Sequence, residues 1–168
     1  DLESLLRAAP QLPRVVVHAG ALGDPTDGLA PTDALLPGYR IALALVTAVN
    51  TVSPGTDVDL LALTDTATAF GDVSPGSSAQ AALAALLPVL AQENPGWVCR
   101  HIDIGTGLPV PPAHVVAEAL EEHAGPVALR GSTRWLRALD HVPLAAQGQS
   151  WSLPPGGVVL LTGGLGKV

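Results

Sequence analysis

The chain has 168 residues, 48% hydrophobic and 14% charged, which suits one domain of ordinary size and excludes a disordered acidic segment. Eight Lys and Arg against fifteen Asp and Glu give a net charge of −7, the wrong sign for a protein that binds phosphate backbones. The single cysteine, Cys99, excludes an internal disulfide framework and fits a reducing compartment. The longest nearly unbroken apolar run, Ile41 to Val49, is less than half the ~20 residues of a membrane span. No N-terminal stretch has the pattern of a secretion signal, so the cytoplasm is the expected location.

In chain order, residues 1–10 read as a short amphipathic arm, within an N-terminal linker of 1–13. Short β-branched or Leu-rich runs predict buried strands at Arg14–His18, Val58–Leu63, Trp97–Ile104, Val127–Arg130 and Val158–Thr162. Longer Ala/Leu-rich stretches predict helices over about Pro37–Val52, Ser78–Glu93 and Ala113–Ala124. Turn clusters separate them, among them Gly23-Asp24-Pro25, Ser53-Pro54-Gly55, Ser74-Pro75-Gly76 and Asn94-Pro95-Gly96. Pro111 and Pro112 suit a first helical turn, which lacks N–H partners in any case, and Gly125-Pro126 suits a stop. Pro88 falls inside the second long helix and is expected to kink or split it. Alternating strands and helices indicate a parallel sheet with crossover helices, and strands apolar at nearly every position indicate helices on both sheet faces. The predicted fold is α/β, a doubly wound, Rossmann-like parallel sheet.

Charge is uneven along the chain. Residues 1–129 hold four Arg against fourteen acids, a net −10, while residues 130–168 hold three Arg and one Lys against one acid, a net +3. Arg130, Arg134 and Arg137 therefore form a candidate basic patch for an acidic partner; the favoured alternative is that Arg134 and Trp135 pack against a neighbouring subdomain. Trp97, Trp135 and Trp151 are three of five aromatics and suit contact surfaces more than a central core. Cys99 and His101 share one face of a strand by their spacing. They read as a buried thiol and a histidine near a strand end; a Cys–His nucleophile or zinc half-site would need further ligands, and no second pair has suitable spacing. His114, Glu118 and Glu122 lie along one side of a helix and read as a solvated face, with metal or proton transfer as the chemical alternative.

The last residues, Val158 to Val168, join an apolar run to Thr162-Gly163-Gly164-Leu165-Gly166-Lys167. A strand entering a glycine cluster opens a dinucleotide-binding unit, in which glycines let the backbone approach the pyrophosphate. Gly164-x-Gly166 supplies two of the three glycines; the third would fall at 169. Thr162, Gly163, Gly164, Leu165 and Gly166 are thus a partial cofactor loop. The only tyrosine is Tyr39, with Leu43 four residues on, and the only lysine is Lys167, so these residues contain no Tyr-x-x-x-Lys pair.

Three stretches occur in a telling order: Gln92-Glu93-Asn94-Pro95 leading to Cys99-Arg100-His101-Ile102-Asp103, then Arg130-Gly131-Ser132-Thr133-Arg134-Trp135, then Thr162-Gly163-Gly164-Leu165-Gly166. Together they resemble the ketoreductase region of bacterial modular polyketide synthases, over about Arg14 to Val168. Such regions pair two halves of short-chain-dehydrogenase type. The first half is structural and cofactor-free; the second binds NADPH and reduces a β-ketoacyl group carried on an acyl carrier protein. The resemblance implies a structural ketoreductase subdomain at 14–146, a linker at 147–157, and the first strand and glycine turn of the catalytic half at 158–168. Lys167 stands where many relatives have another glycine.

The function so implied is a non-catalytic scaffold, with no catalytic or metal-ligating residue of its own, bracing a catalytic ketoreductase subdomain and neighbouring synthase domains. Two alternatives stand beside it. The chain is a fragment of an active NADPH-dependent reductase whose catalytic half lies downstream, or a pseudo-ketoreductase scaffold beside a methyltransferase domain. Nucleic acid and membrane are not expected partners.

Overall fold

The computed structural model describes residues 1–23, 30–65, 67–68, 77–107, 109–121, 125–141, 152–160 and 162. The chain forms two compact units, Asp1–Arg137 and Ala138–Val168. In the first, Asp1 caps helix α1 (Leu2–Ala8), its carboxylate accepting from the Ser4 N–H at 2.7 Å; an N-cap of this kind satisfies a donor the helix leaves unpaired. The amphipathic arm is thus a helix, with Leu6 buried in the core. Strand β1 (Val15–His18), helix α2 (Pro31–Ala34) and a π-helical turn (Leu36–Arg40) lead into α3 (Ile41–Val52). Then come β2 (Val58–Thr64), α4 (Ser78–Glu93), β3 (Trp97–Asp103), α5 (Pro112–Leu120), β4 (Val127–Arg130) and β5 (Thr133–Leu136).

The five strands form one sheet in sequential order, β1 to β4 parallel and β5 antiparallel to β4. Seven register pairs join β2 to β3, but two, Ile102 with Val127 and Asp103 with Ala128, join β3 to β4. Strand periodicity sorts the side chains onto two faces. On one, Val58, Leu60, Ala62, Trp97 and Cys99 pack with Val46, Val49, Leu83, Leu87 and Leu90 of α3 and α4. On the other, Leu61, Leu63, Ile102, Val127 and Leu129 pack with Val115 and Ala119 of α5. Over most of β2 and β3 both faces carry helices, which is why these strands have apolar residues at consecutive positions, whereas Val15 and Val17 of β1 are exposed.

The layering has a topological consequence. The parallel strands advance in one direction, yet α3 and α4 cross on one face and α5 on the other. The third crossover therefore has the opposite hand to the first two. The doubly wound arrangement thus arises from a change of hand, while the strand order stays sequential.

Four expectations change. Helix α4 runs unbroken from Ser78 to Glu93 through Pro88. Pro88 costs the bond to the Ala84 carbonyl, but it sits on the exposed side while Leu83, Leu86, Leu87 and Leu90 anchor the helix beneath. Helix α5 ends at Leu120, with Glu121 already extended (ψ 149°), short of the expected Ala124. Strand β5 was not expected; Gly131 (φ +59°) and Ser132 form a two-residue hairpin turn with glycine in the left-handed first position, where other residues are strained. In the second unit Val158–Leu160 forms no strand. An apolar run becomes a strand only through a ladder partner, and none is present among the described residues. Val158 and Leu160 are exposed, following a turn in which the Gly157 N–H donates to the Pro154 carbonyl at 2.8 Å. No helix among the described residues is long and apolar enough to cross a membrane.

Candidate functional site

Four parallel strands end together, placing His18, Thr64, Asp103 and Arg130 at the carboxyl edge of the sheet, the edge at which open α/β sheets place their ligands. Asp103, fully buried, is the hub. Its Oδ1 accepts from the Thr64 hydroxyl at 2.6 Å and the Ala67 N–H at 3.0 Å, and its Oδ2 accepts from the Arg130 guanidinium at 2.7 Å. Arg130 also donates to the carbonyls of Asp103 and Leu129 at 2.8 and 3.0 Å. Gly105 makes this approach possible. It has φ +65°, and a Cβ there would lie 2.8 Å from the Arg130 Cδ.

The network also fixes a tautomer. Thr64 spends its one proton on Asp103, so its oxygen accepts from His101 Nε2 at 2.8 Å. His101 therefore carries its proton on Nε2. Burial pushes the imidazole below the ordinary histidine range, with the Asp103 charge acting in the opposite direction. The result is a neutral ring whose Nδ1 is an acceptor.

A second clasp closes the neighbouring loops. Gln80, buried in the first turn of α4, donates to the Ala21 carbonyl at 2.7 Å and to Asp65 Oδ1 at 2.6 Å, while its Oε1 accepts from the Asp65 N–H at 2.9 Å. Asp65 Oδ2 in turn accepts from the Gly23 N–H at 2.8 Å. Ser77 caps α4 by accepting from the Gln80 N–H. At the end of β1, His18 Nε2 lies 2.9 Å from the Gly38 carbonyl. A Cβ on Gly20 would lie 2.7 Å from the Pro37 carbonyl. The glycine after β1 thus admits the chain's own backbone.

Cys99 and His101 do share one face, as their spacing requires, and both line a groove of about 600 Å³ beside α4. Cys99 is buried, and desolvation pushes its thiol up to about 11. A thiol so raised is an inert core group at neutral pH. Among the described residues no cluster of three His, Cys, Asp or Glu is placed to hold a metal ion.

The helix-face reading of Glu118 needs correction. Glu118 is buried, not solvated, and receives Arg134 in a two-pronged contact at 2.5 and 2.7 Å. The hydrogen bond to Glu118 raises Arg134 further above its ordinary value. His114 is exposed, and Glu122 lies outside the described residues. Of the three candidate patch cations, Arg130 and Arg134 are held in ion pairs within the fold and Arg137 is exposed. Arg134 is thus bound to its own helix α5. Trp97 is a core residue, against the expectation of a contact surface; Trp135 is exposed, and Trp151 lies outside the described residues.

Of the partial cofactor loop, Thr162 is an exposed bend residue, and Gly163, Gly164, Leu165 and Gly166 lie outside the described residues, as does Lys167. Tyr39 is half-buried against the core beside α3. Sequence reasoning missed the hub itself. Thr64 and Asp103 come from different strands 39 residues apart, and no local pattern joins them.

No protein-family model and no curated protein matches the chain. Among solved structures the fold is similar to that of a short-chain dehydrogenase from Mycobacterium avium, with a TM-score of 0.53 and 19% identity. The match covers 90% of this chain and 65% of that one, so the chain spans about two thirds of the dehydrogenase's length. At this identity the likeness is one of fold: a mostly parallel, Rossmann-like α/β scaffold of the short-chain-dehydrogenase type.

Proposed function

We propose that this chain is the non-catalytic, structural half of a ketoreductase region of the polyketide-synthase kind, bracing a catalytic half and its neighbours. One observation carries the reading: the polar side chains at the carboxyl edge are turned on one another. Asp103 is enclosed by Thr64, Ala67 and Arg130, and Gln80 ties Ala21 to Asp65. A dinucleotide would need backbone donors and open glycine space at this edge. Here the space beside Gly20 is taken by Pro37 and the Gly23 N–H by Asp65. The filled space and the engaged donor at this edge support a cofactor-free reading. The sequence agrees, since it carries no Tyr-x-x-x-Lys pair to serve as proton donor and its activator.

The test is direct. The chain alone is expected to leave NADPH fluorescence unchanged and to give no NADPH oxidation with a β-ketoacyl thioester. Turnover by this chain would overturn the proposal. A second reading, a fragment of an active reductase, draws support from the exposed Val158–Leu160 run leading to the glycine cluster. Turnover that appears only when downstream sequence from the source gene is appended would favour that reading.

A further inference from the structure

Beside α4 the sheet face is uncovered, leaving the groove of about 600 Å³, a size typical of small-molecule pockets. Its helical wall is made of small side chains, Ala81, Ala84, Ala85 and Pro88, and its far wall of Trp135 and Leu136. Such a wall by itself indicates only space. The chemistry comes from two polar groups at its ends.

The first is His101. The residue is 5% exposed and lines the groove. Its Nε2–H is given to Thr64, which leaves Nδ1 as a bare acceptor with no hydrogen-bond partner among the described residues. Nor is Nδ1 sealed in the core: Arg100 Nε is the sole fully buried side-chain N or O atom without a partner among those residues. Nδ1 is therefore not fully enclosed, and the ring lines the groove. An acceptor so placed can be met by a donor on a ligand in the groove.

The second is Arg137. Carrying the register one residue beyond the paired strands sets His101, Pro126 and Arg137 side by side, on the face that bears Trp135. Two strand spacings separate the outer pair, about 10 Å between Cα atoms. Arg137 is exposed and has no ion pair among the described residues. An acceptor at the inner end, an apolar trough and a cation at the outer end describe one complementary shape.

We propose that this groove binds a medium-chain aliphatic carboxylate bearing a hydroxyl group, the hydroxyl donating to His101 Nδ1, the chain lying along the alanine wall and the carboxylate meeting Arg137. The site touches the Asp103 hub through Ala67 and Thr64, but its binding test needs neither NADPH nor turnover, so its failure and that of the scaffold reading are distinguishable.

The test is calorimetric titration of the whole chain with the terminally hydroxylated eight-carbon fatty acid, followed also by tryptophan fluorescence. Saturable one-to-one binding is expected. Octanoate, which lacks the donor, is expected to bind about tenfold more weakly, the scale of one hydrogen bond to a buried acceptor. Ala84→Phe, which fills the trough from the helix surface, is expected to abolish binding while circular dichroism stays unchanged. Arg137→Gln is expected to weaken the acid severalfold and to leave the matching diol unaffected. Absence of saturable binding overturns the proposal. So does equal affinity for octanoate, or binding that survives Ala84→Phe.

Discussion

The carboxyl edge and the contact between α5 and the β4–β5 hairpin each join a buried carboxylate to an arginine, with opposite surroundings. At the edge, the Asp103 side chain is fully buried, and the hydroxyl of Thr64, the backbone of Ala67 and Arg130 all converge on it. Between α5 and the hairpin, Glu118 is buried but Arg134 keeps 39% of its side chain in solvent. Desolvation governs the first pair and water shares the second. The same chemical contact thus locks strand ends together in one place and clips a helix to an edge hairpin in the other.

The sharpest way to break this contrast is to delete each acid or its partner separately. Asp103→Ala leaves the Arg130 cation, the Thr64 hydroxyl and the Ala67 N–H without their acceptor, and is expected to cost about 3–5 kcal/mol in urea denaturation. Arg134→Leu strands only a carboxylate at the rim of the fold, which water reaches once the side chain is shortened. Its expected cost is about 1–2 kcal/mol after discounting for that exposure. Equal losses for the two variants would contradict the difference in surroundings. Added salt should shrink the Arg134 effect and leave the Asp103 effect nearly unchanged.

The smallest effect is a pH slope. Burial holds His101 below its ordinary value of 6.5. As pH falls through that value, the unfolded chain takes up a proton that the folded chain refuses, so stability declines in acid. His101→Gln removes this contribution and is expected to flatten the stability profile between about pH 5 and 7. An unchanged slope would mean that the ring is protonated within the fold.

How much of this was legible depended on whether the signal was local. Strand β2 stands out because burial on both sheet faces writes a long apolar run into the sequence, and helix α4 because Leu83, Leu86, Leu87 and Leu90 recur at helical spacing. The shared face of Cys99 and His101 followed from strand periodicity alone. Strand β5 was hidden because Thr133–Leu136 is exposed throughout and so has no burial pattern. Its signal was the Gly131-Ser132 pair between two β-forming runs. Missing β5 also hid the burial of Glu118, since Arg134 is carried on that strand. Pro88 misled for a different reason: propensity is a local cost, and four leucines on the far side of α4 outweigh it.

The thin seam between β3 and β4 divides the cooperativity of the first unit. Two register pairs bridge it, where seven join β2 to β3. The β4–β5 hairpin and α5 therefore form a segment that opens at lower free energy than the rest. In hydrogen exchange, amide protons of Val127–Leu136 are expected to exchange faster than those at the centre of β2. Helix α5 is held by a small core shared with Leu61, Leu63 and Ile102 of β2 and β3 and by the Arg130 and Arg134 ion pairs, so its melting would uncover that face of the sheet.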